Sequence, residues 1–174
     1  MKTLQQQLIQ YAEYHRDKRN IMTHFVGIPM IVLAVAILLS RPQFSLLGIH
    51  LTPALLVVIA TSVYYLKLDR PLGIAMALFL GLCLWIATLT AAQPTAVWLS
   101  AGVGLFVVGW IIQFIGHIYE RRKPAFFDDV MGLAIGPLFV AAELAFLLGL
   151  QQSLQEQVEA GAGPTVIKGQ TEAS

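Results

Sequence analysis

The sequence predicts an all-α membrane protein, a bundle of about five transmembrane helices preceded by an N-terminal interfacial helix. The chain is 57% hydrophobic and only 12% charged, and its mean hydropathy is +0.71. A soluble domain carries about 25% charged residues, so a soluble helical core is the weaker alternative. A membrane span needs about 20 mostly apolar residues. Five stretches qualify as spans: Phe25–Ser40, Leu51–Leu68, Leu72–Ala92, Val97–Ile118 and Val130–Leu150.

The segment before the first span is polar and lacks the apolar region of a cleavable signal peptide. Residues 1–16 fit an amphipathic helix at the membrane surface. Its apolar side carries Leu4, Leu8, Ile9 and Tyr11. Asn20 is suited to cap the next helix or to form the turn before it.

Residues 1–150 are predicted to form a single membrane-embedded domain, and residues 151–174 a polar, flexible tail. The tail is rich in Gly, Ala and Gln, and we expect a helical extension to about Ala160 followed by disorder. The chain has no glycine-rich phosphate loop and no zinc-type cysteine spacing, and the absence of a GxSxG motif disfavours an acyl hydrolase. A net charge of +1 does not indicate nucleic-acid binding. No oligomeric state is predicted.

Lysine and arginine predict the orientation, because short cytoplasmic loops are enriched in them. With five spans, three basic segments share one side: Lys2, Arg16, Lys18 and Arg19; Lys67 and Arg70; Arg121, Arg122 and Lys123. Arg41 and Lys168 are left for the other side. The N-terminus is therefore expected in the cytoplasm. His50 is expected in a loop on the opposite face from the other three histidines.

Three histidines, His15, His24 and His117, are predicted to lie at the same cytoplasmic depth of the membrane. Neutral imidazole is the commonest protein ligand of transition metals, so the grouping indicates a metal site. The alternative for His15 is contact with lipid head groups. For His24 it is an interfacial histidine at the end of a span.

Polar residues on the same helix faces extend this candidate site. Asn20 and His24 are four residues apart, as are Gln113 and His117, and Glu120 follows three residues later. Three roles stay open for Glu120: it binds the metal, it orients an imidazole, or it pairs with Arg121 and Arg122. For Gln113, the alternative to a role in the site is an interhelical hydrogen bond.

The charged turn after the fourth span and one acid inside the fifth span complete the candidates. One of Asp128 and Asp129 is expected to cap the fifth span, and the other to bind a metal or an arginine. Arg121 and Arg122 either anchor the helix end or bind a substrate carboxylate. Glu143 lies deep in the fifth span, where an ionisable group is costly and needs a polar partner or a cavity.

Two separated blocks resemble the membrane 2-hydroxy fatty acid dioxygenases. They read YHRDKRNIMTHFVGIP, from Tyr14 to Pro29, and WIIQFIGHIYERRKPAFFDD, from Trp110 to Asp129, and the resemblance spans essentially Tyr11 to Leu150. It implies Fe(II)-dependent removal of one carbon from a 2-hydroxy fatty acid by O₂, a step of fatty acid α-oxidation in phytosphingosine degradation. It assigns the metal to His15, His24 and His117, with Asp128 as the nearby carboxylate. Where relatives can show a second histidine, this chain has Arg16.

The resemblance agrees with the chemistry of the residues. Non-haem iron commonly binds histidines and a carboxylate and keeps positions open for O₂ and substrate. The expected partners are O₂, the hydroxy acid and membrane lipid, in the endoplasmic reticulum of a eukaryote or the inner membrane of a bacterium. Two other classes stay open: a small transporter or channel that uses Glu143, and a structural membrane protein with incidental histidines.

Overall fold

The computed structural model describes residues 2–46, 49–121 and 131–168 and is mostly helical, which confirms the all-α part of the predicted fold class. Within these ranges it has seven helices and one short antiparallel hairpin. The elements are α1 Leu4–Ala12, α2 Lys18–Ser40, β1 Phe44–Leu46, β2 Ile49–Leu51, α3 Pro53–Leu68, α4 Arg70–Ala91, α5 Thr95–Glu120, α6 Met131–Leu147 and α7 Gln152–Ala162.

Three helices, α2, α4 and α5, are long and apolar enough to cross a membrane. A fourth candidate arises if α6 and α7, bent by 117° at their junction, are counted as one span, whereas α3 is apolar but has only 16 residues. The described residues therefore support three to four candidate spans, and the predicted five are not confirmed. The predicted fifth span ends early because the chain turns at Gly149, whose φ of 72° suits glycine.

Helix α2 begins at Lys18, seven residues before the predicted start of the first span. Asp17 explains the earlier start, because its Oδ1 accepts a hydrogen bond from the backbone N–H of Arg19 at 2.9 Å, in the manner of a helix N-cap. Asn20, the cap expected from the sequence, instead lies inside the helix. Asn20 and His24 therefore share one helix face, as their spacing predicts.

Helix α1 starts with a capping box formed by Thr3 and Gln6. Its apolar residues Leu4, Leu8 and Tyr11 are buried, and the helix packs against α6 and α7. The sequence had predicted that this face lies on lipid. In the structure it forms part of the protein core.

By contacts, the chain divides into two compact units, Met1–Ile28 with Ile111–Ser174, and Pro29–Trp110. In the second unit, α3 and α4 approach closely at Gly73, where an added Cβ would lie 2.6 Å from the Cα of Leu66. Its core includes Ile37 and Cys83. The first unit contains His15, His24 and His117.

The C-terminal segment Gly163–Lys168 is hydrogen-bonded to the turn between α1 and α2. The N–H of Val166 donates to the carbonyl of Arg16 at 2.9 Å, and the N–H of Lys18 donates to the carbonyl of Val166 at 2.8 Å. Over these residues the structure differs from the expected disorder after Ala160. It also places Lys168 beside the N-terminal segment, not on the opposite side, because α7 turns back toward α1.

Candidate metal centre

His15, His24 and His117 meet in the interior of the first unit. The ring centroids lie 4.5 Å apart for His15 and His24, 5.1 Å for His15 and His117, and 5.3 Å for His24 and His117. All three side chains are buried. One ring nitrogen from each lies within 4.8 Å of the other two. Residues that are 102 positions apart at the extremes are thus brought into one cluster.

Two of the imidazoles are oriented by the same local device. Nδ1 of His15 donates to the carbonyl of Tyr11 at 2.7 Å, and Nδ1 of His24 donates to the carbonyl of Asn20 at 2.8 Å. A carbonyl only accepts, so each hydrogen bond selects the tautomer whose Nε2 carries the lone pair. Metal-binding histidines almost always donate their other ring nitrogen in this way.

The chemistry of the three histidines suits a bound metal ion. Nε2 of His15 is buried and has no hydrogen-bond partner among the described residues, an arrangement that is costly unless something binds there. Burial, followed by the neighbouring His24, lowers the pKa of His15 well below its usual value, so the ring is neutral. The three ring nitrogens lie within 4.8 Å of one another, so one ion can contact all three after a small movement of the rings toward the 2.0–2.1 Å of imidazole–metal bonds.

Glu120 braces the turn that carries His15. Its Oε2 accepts from the backbone N–H of Asp17 at 2.8 Å and from Nδ2 of Asn20 at 3.1 Å. Its Oε1 accepts from Nζ of Lys168. Both oxygens are therefore occupied by donors. Of the roles left open by the sequence, this geometry favours a partner that positions the histidine segments.

Asp17 is a buried residue of the site that the sequence reasoning did not single out. Its carboxylate accepts from Nε and Nη2 of Arg19 at 3.0 and 2.8 Å and from the N–H of Lys168 at 3.0 Å. The hydrogen bonds from Arg19 lower the pKa of Asp17 to about 2. The available signal was an acid directly before a basic pair at a helix start, a position suited to an N-cap.

Gly116 allows the two histidine-bearing helices to approach. A Cβ at this position would lie 2.0 Å from Oγ1 of Thr23 and 2.5 Å from Oδ1 of Asn20. The missing side chain lets α5 lie against α2 where His24 and His117 face each other. Small residues commonly permit such contacts between membrane helices. The sequence block around His117 includes this glycine but by itself assigns it no role in packing.

Gln113 is buried on α5, and its Nε2 has no hydrogen-bond partner within the described part of the chain. Arg121 ends α5 with a left-handed φ of 56°. Arg122, Asp128 and Asp129 lie outside the described residues, so their predicted roles stay predictions. His50 lies in β2, opposite Ser45 of β1, in the second unit.

Arg16 supports the end of α1. Its Nε donates to the carbonyls of Ala12 and His15, and its Nη1 donates to Gly163. Its Nη2 lies 3.6 Å from Oε1 of Glu143. Glu143 thus has the polar partner that its depth in an apolar helix requires.

We expect the ring of Tyr11 to stabilise His15 in its ligating orientation. The two rings stack at 4.1 Å with an interplanar angle of 4°. Tyr11→Leu should weaken metal binding about tenfold, because a well-formed aromatic pair contributes about 0.5–1.5 kcal/mol beyond its buried area. Tyr11→Phe should bind metal like the wild type, since it keeps both the stack and the backbone carbonyl. Calorimetric titration of the two variants with metal makes the comparison, and equal affinities would contradict it.

The chain is similar to a known protein family over most of its length. The family described as "Mpo1-like: 2-hydroxy-palmitic acid dioxygenase Mpo1-like" matches residues 1–148. A curated protein of Saccharomyces cerevisiae, "2-hydroxy-palmitic acid dioxygenase MPO1", is 32% identical over 159 residues, which cover 90% of this chain and 87% of the yeast protein. No solved structure matches significantly. The matched region includes all three clustered histidines.

Proposed function

This chain belongs to the Mpo1-like family, and from that membership we propose that it is a membrane Fe(II)-dependent dioxygenase that removes one carbon from 2-hydroxy fatty acids. The observation that carries the proposal is the buried cluster of His15, His24 and His117. The yeast relative is named for activity on 2-hydroxypalmitic acid. The cluster supplies a site at which such a reaction can occur.

The proposed reaction balances without an external reductant. A 2-hydroxy acid and O₂ give the fatty acid one carbon shorter, carbon dioxide and water. The bond between C1 and C2 breaks, and C2 is oxidised from an alcohol to a carboxylic acid. The substrate loses four electrons, which is the number that one O₂ accepts. This balance agrees with a dioxygenase that needs no nicotinamide or flavin.

In this proposal His15, His24 and His117 hold the iron, with Asp128 as the candidate carboxylate ligand. Fe(II) held there would supply O₂ activation and would leave positions open for the hydroxyl and carboxylate oxygens of the substrate. Arg121 or Arg122 would bind the substrate carboxylate, for which a guanidinium is geometrically suited. The acyl chain would remain among the apolar helices. Gln113 and Glu143 would not bind the metal directly but would support the ligands or the substrate.

We place the site at the cytoplasmic face of the membrane. If α2, α3, α4 and α5 each cross, four crossings separate His24 from His117 and return the chain to the same side. The rings of His24 and His117 are in contact, so the two residues lie on the same side and the number of membrane crossings between them is even. The basic residues around both histidines favour the cytoplasmic side. The membrane would be the endoplasmic reticulum of a eukaryote or the inner membrane of a bacterium.

The test is turnover of 2-hydroxypalmitate by the purified full chain. We expect pentadecanoate only when both iron and O₂ are present, and labelled carbon dioxide from substrate labelled at C1. A chelator should stop the reaction and Fe(II) should restore it. Equal product under nitrogen would rule out a dioxygenase. An iron-loaded protein that converts no 2-hydroxy acid of any chain length would also overturn the proposal, and ion flux in liposomes would then favour a transporter that uses Glu143.

A further inference from the structure

We propose that Lys168 is a positioning residue of the metal centre, and that the segment Gly163–Lys168 fastens the histidine-bearing turn through it. The inference rests on the proposed function in so far as the cluster of His15, His24 and His117 binds a metal. The segment lies outside residues 1–148, the part of the chain that the family description matches.

The segment is attached to the turn between α1 and α2 at several points. Two backbone hydrogen bonds join Val166 to Arg16 and Lys18. Nη1 of Arg16 donates to the carbonyl of Gly163 at 2.8 Å, and Nη2 of Arg19 donates to the carbonyl of Lys168 at 2.9 Å. This turn contains His15. Movement of the segment would therefore shift the backbone of His15, a candidate metal ligand.

Lys168 connects the segment to α5, the helix that carries His117. Its N–H donates to Oδ2 of Asp17, while its Nζ donates to Oε1 of Glu120 and, at 3.2 Å, to the carbonyl of Glu120. Glu120 lies on α5 one turn after His117. Lys168 thus joins the end of α5, which carries His117, to the turn between α1 and α2, which carries His15.

The positive charge of Lys168 stabilises the buried carboxylate of Glu120 in its orientation toward Asp17 and Asn20. The Glu120 side chain is buried, and its other described donors, the N–H of Asp17 and Nδ2 of Asn20, are neutral. A buried carboxylate without a cationic partner is strongly unfavourable. Without Lys168, Glu120 should turn away from Asp17 and Asn20 toward water or another cation. The turn that carries His15 then loses its support from α5, so loss of Lys168 should lower the metal affinity and change the ligand geometry of the centre.

The experiment compares Lys168→Met, Lys168→Arg and Lys2→Met in the full chain, titrated with Co²⁺ as the probe. The visible spectrum of bound Co²⁺ reports its coordination, and the titration gives its affinity. Lys168→Met should weaken Co²⁺ binding about 10–100-fold, the range for residues that orient metal ligands, and should change the spectrum. Lys168→Arg should restore both. Lys2→Met, which removes an exposed lysine, should match the wild type.

A double variant covers the case in which Lys168→Met does not fold. Glu120→Gln combined with Lys168→Met removes both charges and keeps an acceptor for Asp17 and Asn20. It should fold and bind Co²⁺ more tightly than Lys168→Met alone. Wild-type affinity and spectrum in Lys168→Met would overturn the inference, as would a double variant no better than the single one. Tight Co²⁺ binding by a wild type that has no dioxygenase activity would contradict the proposed function and leave this inference standing.

Discussion

Replacing His24 or His117 by alanine is expected to abolish iron binding and turnover while the helices still insert into the membrane. Each change removes one of only three nitrogens that the described structure brings together, and two imidazoles leave an ion weakly held. The affinity should fall by well over the 10–100-fold that follows loss of an orienting partner. Iron content of the purified variants and pentadecanoate production measure the two effects.

His50→Ala is the matched control for these variants. It removes an imidazole from β2, in the other compact unit, and should leave iron content and turnover unchanged. Iron bound stoichiometrically by His117→Ala would show that the cluster is not the metal centre. Damage from His50→Ala equal to that from His117→Ala would contradict both the ligand assignment and the predicted membrane placement of His50.

Gly116→Ala should have the second largest effect, although it adds a single methyl group. That carbon would lie 2.0 Å from Oγ1 of Thr23 and 2.5 Å from Oδ1 of Asn20, so these side chains or α5 itself must shift. Overpacking of this kind typically costs about 1–3 kcal/mol of folding free energy. A shift of α5 away from α2 separates His117 from His24. We therefore expect lower thermal stability and a metal affinity reduced about 10–100-fold, as for lost support of a ligand.

Gly104→Ala provides the comparison on the same helix. Among the described residues, no atom lies within 4 Å of a Cβ built at Gly104. Alanine favours a helix over glycine by about 1 kcal/mol, so this variant should be as stable as the wild type or slightly more so. Adding Thr23→Ala to Gly116→Ala removes the nearest clashing atom and should recover part of the lost affinity. Equal affinities for Gly104→Ala and Gly116→Ala would refute the close-packing argument.

The two histidine blocks show how far sequence reasoning reached. Their resemblance to the membrane dioxygenases is confirmed by the family match over residues 1–148. The spacing of Asn20 and His24 predicted a shared helix face, which the structure has. The predicted span starts later than the helix, because apolar content indicates the membrane-buried part of a helix and carries no information about the polar turns that precede it. Asp17 and its cap extend α2 into the polar segment.

The C-terminal segment shows where the sequence was a poor guide. A stretch rich in Gly, Ala and Gln has little apolar surface to bury, and composition alone therefore indicates disorder. In the structure the segment is held by hydrogen bonds and charge: Val166 pairs with the backbone of Arg16 and Lys18, and Lys168 with Glu120 and Asp17. Such pairing depends on partners that are far away in the chain, so no local pattern reports it.

By itself, the sequence determined the apolar helices and the residue types that bind metal, because hydropathy and side-chain chemistry are local properties. Only the tertiary structure decided that the rings of His15, His24 and His117 point into one space and that Glu120 faces donors on both oxygens. It also decided that Gly116 lies where α5 packs closely against α2 beside the histidines. These features depend on how helices cross, which is set by packing between residues distant in the chain.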